Sequence, residues 1–209
     1  MKKLTRREFI KSSAVTAAGG MLLSFHIPVF GKEEPFDPWK DPGTEINAWL
    51  AINADDTITI RVAQSEMGEG VFTSMPMIVA EELNADWRKV RAEYADANRS
   101  IRNDKLYRRM STGGSGAVRR SRPYLQQAGA EAREKLIIAA ANKWGVPATE
   151  CYADYGKIYH KPTRRAVNYG ALAADAAGIS VNNVQIKKPK DFGLLGLETP
   201  RLDVPAKVD

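Results

Sequence analysis

The chain has 209 residues with 44% apolar side chains, enough for an ordinary domain with a packed core. Its formal charge is +6, but Lys2, Lys3, Arg6, Arg7 and Lys11 face only Glu8 in residues 1–31, which leaves about +2 elsewhere and disfavours nucleic-acid binding by bulk charge. The single cysteine, Cys151, excludes an internal disulfide and any iron–sulfur cluster or cysteine zinc site made within this chain.

Residues 1–31 read as an export signal. Thr5-Arg6-Arg7-Glu8-Phe9-Ile10-Lys11 fits the twin-arginine pattern. The weakly apolar run from Ser12 to Phe30 is interrupted by His26 and Pro28, so it is too poor for a membrane span. Val29-Phe30-Gly31 offers a loose cleavage point. The other reading is a basic N-terminal helix of a cytosolic protein. The twin-arginine reading predicts a periplasmic protein exported already folded, often with its cofactor loaded.

Residues 32–44, rich in Pro, Asp, Glu and Gly, read as a linker. Ile46 to Ile52 predicts a strand, Asn53 to Asp56 a turn, and Thr57 to Val62 a second strand with Ile58, Ile60 and Val62 on one face, making a hairpin. Met67-Gly68-Glu69-Gly70 breaks it. Val71 to Leu83 carries Met75, Ile78, Val79 and Leu83 at helical spacing; capping by Thr73 or Ser74 would put Pro76 in the first turn. Val90 to Ala95 predicts a strand, and Asn98 to Ser111 a long loop without periodicity. Pro123 to Trp144 is the strongest helix, stopped at Gly145-Val146-Pro147. Cys151 to His160 predicts a hairpin, and Tyr169 to Ala177 a short Ala-rich helix. The tail from Lys187, with Pro189, Pro200 and Pro205, should run extended over another surface. The fold class is α+β, a small, mostly antiparallel sheet carrying one long and one medium helix.

Two glycine stretches, Ser65–Ser74 and Thr112–Ser121, each precede a helix. Unpaired N–H groups and the helix dipole there attract anions, and glycine lets a ligand approach the backbone closely. Neither stretch is a P-loop or a G-x-G-x-x-G motif. Glu66 and Glu69 around Gly68 form either an acid/base pair or exposed turn carboxylates. Arg119 and Arg120 either meet a phosphate or lie solvated on the outer helix face. Beyond the signal only His160 remains, so neither a histidine-rich metal site nor a Ser-His-Asp arrangement is available. Cys151 reads as a half-buried structural residue.

Taken in order, INAWLAINADDTITIRV, SEMGEGVFTSMPMIVAEEL, STGGSGAVRRS, QQAGAEAREKLIIAAANKWGV, YGALAADAA and the closing KKPKDFGLLGLETPRLDVPAKVD follow the twin-arginine leader. This order resembles the molybdopterin-binding (large or beta) subunit of the xanthine dehydrogenase family, in the branch of isoquinoline 1-oxidoreductase and related aldehyde dehydrogenases. The resemblance implies a molybdopterin cofactor, in bacteria often the cytosine dinucleotide form, and oxidation of N-heterocycles or aldehydes with water-derived oxygen. It also implies a small iron–sulfur subunit as partner and a cytochrome as acceptor. The family's M-G-Q-G type loop corresponds to Met67, Gly68, Glu69 and Gly70, with Glu69 in place of the commoner Gln; an ionised Glu only accepts hydrogen bonds. Thr112, Gly113, Gly114, Ser115 and Gly116 correspond to the second cofactor-facing loop.

The resemblance further implies domain boundaries: the signal at 1–31, the linker at 32–44, a partial cofactor-binding region at 45–186, and at 187–209 an extended passage toward a next domain. The family's large subunit runs several hundred residues further, and its catalytic glutamate lies near its far C-terminus. The expectation is therefore no catalytic residue in this chain, and a partnership with the remaining C-terminal part of the large subunit. The alternatives are an exported non-catalytic interaction module or truncated remnant, whose Pro-rich tail has nothing to dock on, and a free-standing nucleotide binder using Gly113 to Gly116.

Overall fold

The computed structural model describes residues 43–208; the signal and nearly all of the linker lie outside the described residues. The apolar stretch Ile46–Ile52, expected as one strand, folds back on itself as β1 (Thr44–Asn47) and β2 (Leu50–Ile52), paired antiparallel. Asn47 makes the turn. Its side-chain oxygen accepts the Trp49 N–H (3.0 Å), and its amide donates to the Ala128 carbonyl (3.0 Å) on the long helix.

The predicted hairpin follows. β3 (Ile58–Val62) pairs antiparallel with β2, setting Leu50 opposite Ile60 and Ile52 opposite Ile58. Ile58, Ile60 and Val62 are buried, as the alternation required. Helix α1 (Val71–Leu83) then crosses over to β4 (Val90–Tyr94), which lies parallel to β3, giving a sheet of order β1-β2-β3-β4. The helical connection permits this parallel pair.

Helix α1 begins at Val71 rather than at a Thr73 or Ser74 cap, so Pro76 lies inside it. The reason is a cap from upstream, described below. The expected loop at 98–111 contains a short helix, α2 (Ala97–Arg102), capped by the Asp96 carboxylate on the Asn98 N–H (2.8 Å).

Helix α3 (Ala117–Trp144) starts ahead of Pro123, which lies within it. Both Arg119 and Pro123 are exposed, so water can reach the carbonyl that proline cannot serve. Helix α3 packs on α1 at Gly129, where a Cβ would lie 2.5 Å from the Val79 carbonyl oxygen. Only glycine allows the two backbones to come this close.

β5 (Cys151–Asp154) and β6 (Lys157–His160) form the predicted hairpin, and β7 (Ala166–Asn168) extends it to a second, antiparallel sheet. A single turn of 3-10 helix, Gly170–Leu172, and α4 (Ala173–Ala177) replace the one short helix expected. The Tyr169 hydroxyl, deeply buried, donates to the Leu83 carbonyl at the end of α1 (2.6 Å). The architecture is α+β, as expected, with the strands divided between two sheets.

The tail has a docking surface, contrary to the expectation attached to the non-catalytic alternative. The Glu81 carboxylate on α1 accepts N–H bonds from Gly193 (3.0 Å), Leu194 (2.6 Å) and Leu195 (2.9 Å), and pairs with the Lys187 ammonium (2.6 Å). Further along, the Leu202 N–H donates to the Thr73 hydroxyl (2.9 Å). The tail ends in a short helix, α5 (Pro205–Val208).

Candidate functional site: two glycine loops and an arginine-lined cleft

The loop between β3 and α1 is organised by Glu66. Its carboxylate accepts the N–H groups of Gly68 (2.7 Å), Gly70 (2.8 Å) and Phe72 (3.0 Å), capping α1 from outside the helix. Gly70 takes the left-handed conformation (φ +87°) that this wrap requires. The Glu66 side chain is only 4% exposed, so it is not a solvated turn carboxylate. Burial pushes its carboxyl up, but the N–H groups of Gly70, Phe72 and Gly68 and the Arg201 guanidinium outweigh this, holding the group below its ordinary range.

Glu69, in contrast, is exposed and, among the described residues, accepts only the Met67 N–H (2.6 Å). The two carboxylates thus shape the loop and do not form an acid/base pair. The N–H groups of Met67, Gly68, Gly70 and Phe72, expected to be unpaired, are taken by them. This loop offers a ligand close backbone approach, because among the described residues nothing beyond the chain neighbours lies within 4 Å of where a Cβ on Gly68 or Gly70 would sit.

The second loop, Ser111–Gly116, is free where the first is committed. Among the described residues, no acceptor takes the N–H groups of Gly113, Gly114, Ser115 or Gly116. They stand at the N-terminus of α3, a helix of 28 residues whose dipole adds positive potential. Gly114 is left-handed (φ +62°) with open space above it. The Thr112 hydroxyl donates to the Ser65 carbonyl (3.0 Å), which joins the two loops. The contact lies at the edge of each loop, between Thr112 and Ser65, and is the link the structure shows between the two stretches that the sequence singled out.

Arginines surround the second loop. Arg120 folds back over Gly116, whose hypothetical Cβ would lie 2.9 Å from the guanidinium carbon. Arg119 is exposed on the outer face of α3. A cleft of ≈ 340 Å³ beside Gly116 is also lined by Gln64, Arg108, Arg109, Arg120 and Tyr124. Gln64 is 3% exposed and donates through Nε2 to the Arg109 carbonyl, while its Oε1 has no partner among the described residues.

An anionic, hydrogen-bonding cofactor suits this surface: donors and cations gather on the second loop, where Gly113 and Gly114 leave the backbone open to close approach. Sequence reading missed Gln64, which precedes the motif, and Arg201, whose tail position gave no local signal. Arg201 pairs with Glu66 (3.1 Å) and donates to the Gly68 carbonyl (3.1 Å), so the tail braces the first loop.

Two residues set aside at the sequence level stay structural. The Cys151 thiol is buried, and burial together with the Glu150 carboxylate pushes it up, so it is a poor nucleophile. His160 is buried between the Glu150 carboxylate (2.8 Å) and the Thr163 hydroxyl (2.7 Å), tying the end of β6 to the turn that follows it and to the 3-10 turn ahead of β5.

Known proteins bear on this site. The chain is 30% identical over 203 residues to the isoquinoline 1-oxidoreductase subunit beta of Brevundimonas diminuta, covering 78% of this chain and 25% of that protein. It is 28% identical over 217 residues to the membrane-bound aldehyde dehydrogenase [pyrroloquinoline-quinone] of Gluconacetobacter polyoxogenes, covering 99% and 26%. The chain thus spans about a quarter of the length of these curated relatives. Among solved structures, quinoline 2-oxidoreductase from Pseudomonas putida 86 matches at 13% identity and TM-score 0.45, over 62% of this chain and 16% of that one. The molybdopterin cofactor-binding domain family matches residues 6–194. The chain, by this match across most of its length, belongs to the molybdopterin cofactor-binding domain family.

Proposed function

We propose that the chain is the N-terminal, cofactor-binding portion of a molybdenum hydroxylase large subunit that oxidises N-heterocycles or aldehydes with water-derived oxygen. The observation that supports this reading is the second loop itself: among the described residues no acceptor takes the N–H groups of Gly113 to Gly116, and the Thr112–Ser65 bond ties that loop to the start of the first. The cofactor, when bound, supplies the redox chemistry.

The chain's own residues bind and orient. Gly113, Gly114, Ser115 and Gly116 donate backbone N–H bonds to the anionic part of the cofactor, and Thr112 fixes their position. Gly68 and Gly70 allow close approach to the first loop, and Glu69 holds the loop's shape through the Met67 N–H. No catalytic residue is assigned to this chain. The cytosine dinucleotide is the proposed form, since a cation-lined cleft adjoins the loop and can neutralise a further phosphate. The proposed partners are the remaining C-terminal part of the large subunit and a small iron–sulfur subunit, passing electrons to a cytochrome acceptor. The proposed location is the periplasm, reached by the twin-arginine route, on the strength of Arg6 and Arg7 in their motif.

The test is affinity purification of the tagged full-length chain from its native host. Stoichiometric molybdenum and pterin, with a C-terminal large-subunit chain and an iron–sulfur protein, are expected. A folded chain purified with neither pterin nor such partners would overturn the reading.

A further inference from the structure

Within Met67–Gly70, the N–H groups of Met67 (2.6 Å), Gly68 (2.7 Å) and Gly70 (2.8 Å) are committed to the Glu66 and Glu69 carboxylates. The remaining one, that of Glu69, has no acceptor among the described residues. Its direction is set by the peptide it shares with the Gly68 carbonyl, since the N–H and C=O of a planar trans peptide point opposite ways. That carbonyl accepts from Arg201 Nη1 (3.1 Å). The Glu69 N–H therefore points away from the tail, and this exposed loop turns a donor outward there instead of an acceptor.

Packing does not hold this peptide. Gly68 has φ +109°, and among the described residues nothing beyond its chain neighbours lies within 4 Å of where a Cβ would sit. A glycine so placed passes readily between the two peptide orientations, and a flip would put C=O where N–H now stands. The restraint comes from the tail. Both Asp203 oxygens grip the Arg201 guanidinium, at Nε (3.0 Å) and Nη2 (2.8 Å), and so aim it at the loop, where Nη2 also meets Glu66 Oε1 (3.1 Å). The backbone carrying Arg201 is itself tied to α1. The Leu202 N–H donates to the Thr73 hydroxyl (2.9 Å), and one helical turn further on the Thr199 hydroxyl reaches the Met77 sulfur (3.4 Å). A guanidinium can serve Asp203, Glu66 and the Gly68 carbonyl together. An ammonium is a point charge and cannot reproduce that fork.

We propose that Arg201 is the positioning residue of the first glycine loop: from the tail it holds the Gly68–Glu69 peptide with its N–H outward, so that the loop meets an anion with a donor and not with a carbonyl oxygen. Arg201 touches no ligand in this role and acts through Gly68 and Glu66. The role deepens the cofactor reading above and rests on it only for the identity of the anion.

The experiment is NMR of the isotope-labelled full-length chain, free of cofactor, beside pterin analysis of the native complex. In Arg201→Gln the Gly68 carbonyl and Glu69 amide signals are expected to shift and to broaden or double as the peptide samples both orientations. Amide exchange at Leu136, in the buried face of α3, should change less than about twofold, which separates a local release from a general loss of stability. Arg201→Lys restores the charge beside Glu66, so the Gly70 and Phe72 amide signals should return toward wild type while those of Gly68 and Glu69 stay perturbed. Gly68 and Glu69 signals that do not move in Arg201→Gln overturn the proposal, as does their full restoration in Arg201→Lys, which would reduce the role to charge alone. If Arg201→Gln fails to fold, Arg201→Lys decides by the same signals, and wild-type positions for Gly68 and Glu69 overturn the proposal. In the native complex, Arg201→Gln should lower pterin content at least threefold. A mobile Gly68–Glu69 peptide in Arg201→Gln combined with a pterin-free wild-type complex sinks the cofactor reading alone. An unmoved peptide combined with a pterin-loaded wild-type complex sinks this inference alone.

Discussion

The Thr112 hydroxyl donates to the Ser65 carbonyl oxygen across 3.0 Å, joining two loops 47 residues apart in sequence. Thr112→Val keeps the shape and removes the donor. The expected loss of stability is about 1 kcal/mol, as for one partly exposed hydrogen bond. The expected loss of cofactor is larger, because the second loop then drifts from the first. Paired measurements of denaturant midpoint and of pterin content in the purified complex check this.

Glu66 replaces the N-terminal side chains that usually cap a helix. Glu66→Ala leaves the Gly68, Gly70 and Phe72 N–H groups without their acceptor and strips Arg201 of a partner. A loss of about 2–4 kcal/mol is expected, above the ~1 kcal/mol of an ordinary cap. Urea unfolding monitored by circular dichroism measures it. A change below about 0.5 kcal/mol would show that water serves this helix end equally well.

Acid should release the tail. Burial pushes the Glu81 carboxyl up, but Lys187 and the N–H groups of Leu195, Leu194 and Gly193 outweigh this and hold it below its ordinary range. A carboxyl lowered in the folded state stabilises fully above its unfolded pKa of about 4.3, and that contribution is lost as pH falls through the folded value. Glu66 acts in the same direction. Cleavage of the 187–208 segment by an acid-active protease should therefore be slow at pH 5–6 and accelerate below about pH 4. Glu81→Gln should be cleaved quickly at both.

Gly129→Ala should destabilise the α1–α3 contact by about 1–3 kcal/mol, since its methyl group would meet the Val79 carbonyl oxygen at 2.5 Å. Thermal unfolding of this variant beside Gly145→Ala separates crowding from backbone strain. Gly145 is also left-handed (φ +64°), but a Cβ there meets nothing within 4 Å.

Much of this fold was legible where a pattern repeats. Ile58, Ile60 and Val62 alternate and form β3; Leu125, Ala128, Ala132 and Leu136 recur at helical spacing and form the buried face of α3. The failures occur where a distant group decides. Nothing near Val71 says that Glu66 will cap α1, so the local pattern puts Pro76 in a first turn it does not occupy. The fold-back at Asn47 depends on the Ala128 carbonyl of α3. The glycine loops were readable as a pair from their composition. Their unequal roles were not, since these depend on Glu66 turning inward and on Arg201 arriving from the tail. Gln64 has no local signature at all, because its orphaned oxygen exists only once Arg109 has taken its amide.

The central claim is that the second loop holds an anionic cofactor through its N–H groups. Gly114→Asn and Gly114→Asp test it as a pair, for both residues tolerate the left-handed backbone that Gly114 adopts (φ +62°) and they differ chiefly in charge. The measurement is pterin and molybdenum content of native complexes purified through each variant, after equal thermal stability has been confirmed. Gly114→Asn is expected to retain most of the cofactor and Gly114→Asp to lose at least nine-tenths of it, or about 1.4 kcal/mol of binding for each tenfold. Equal cofactor content in the two complexes would contradict it.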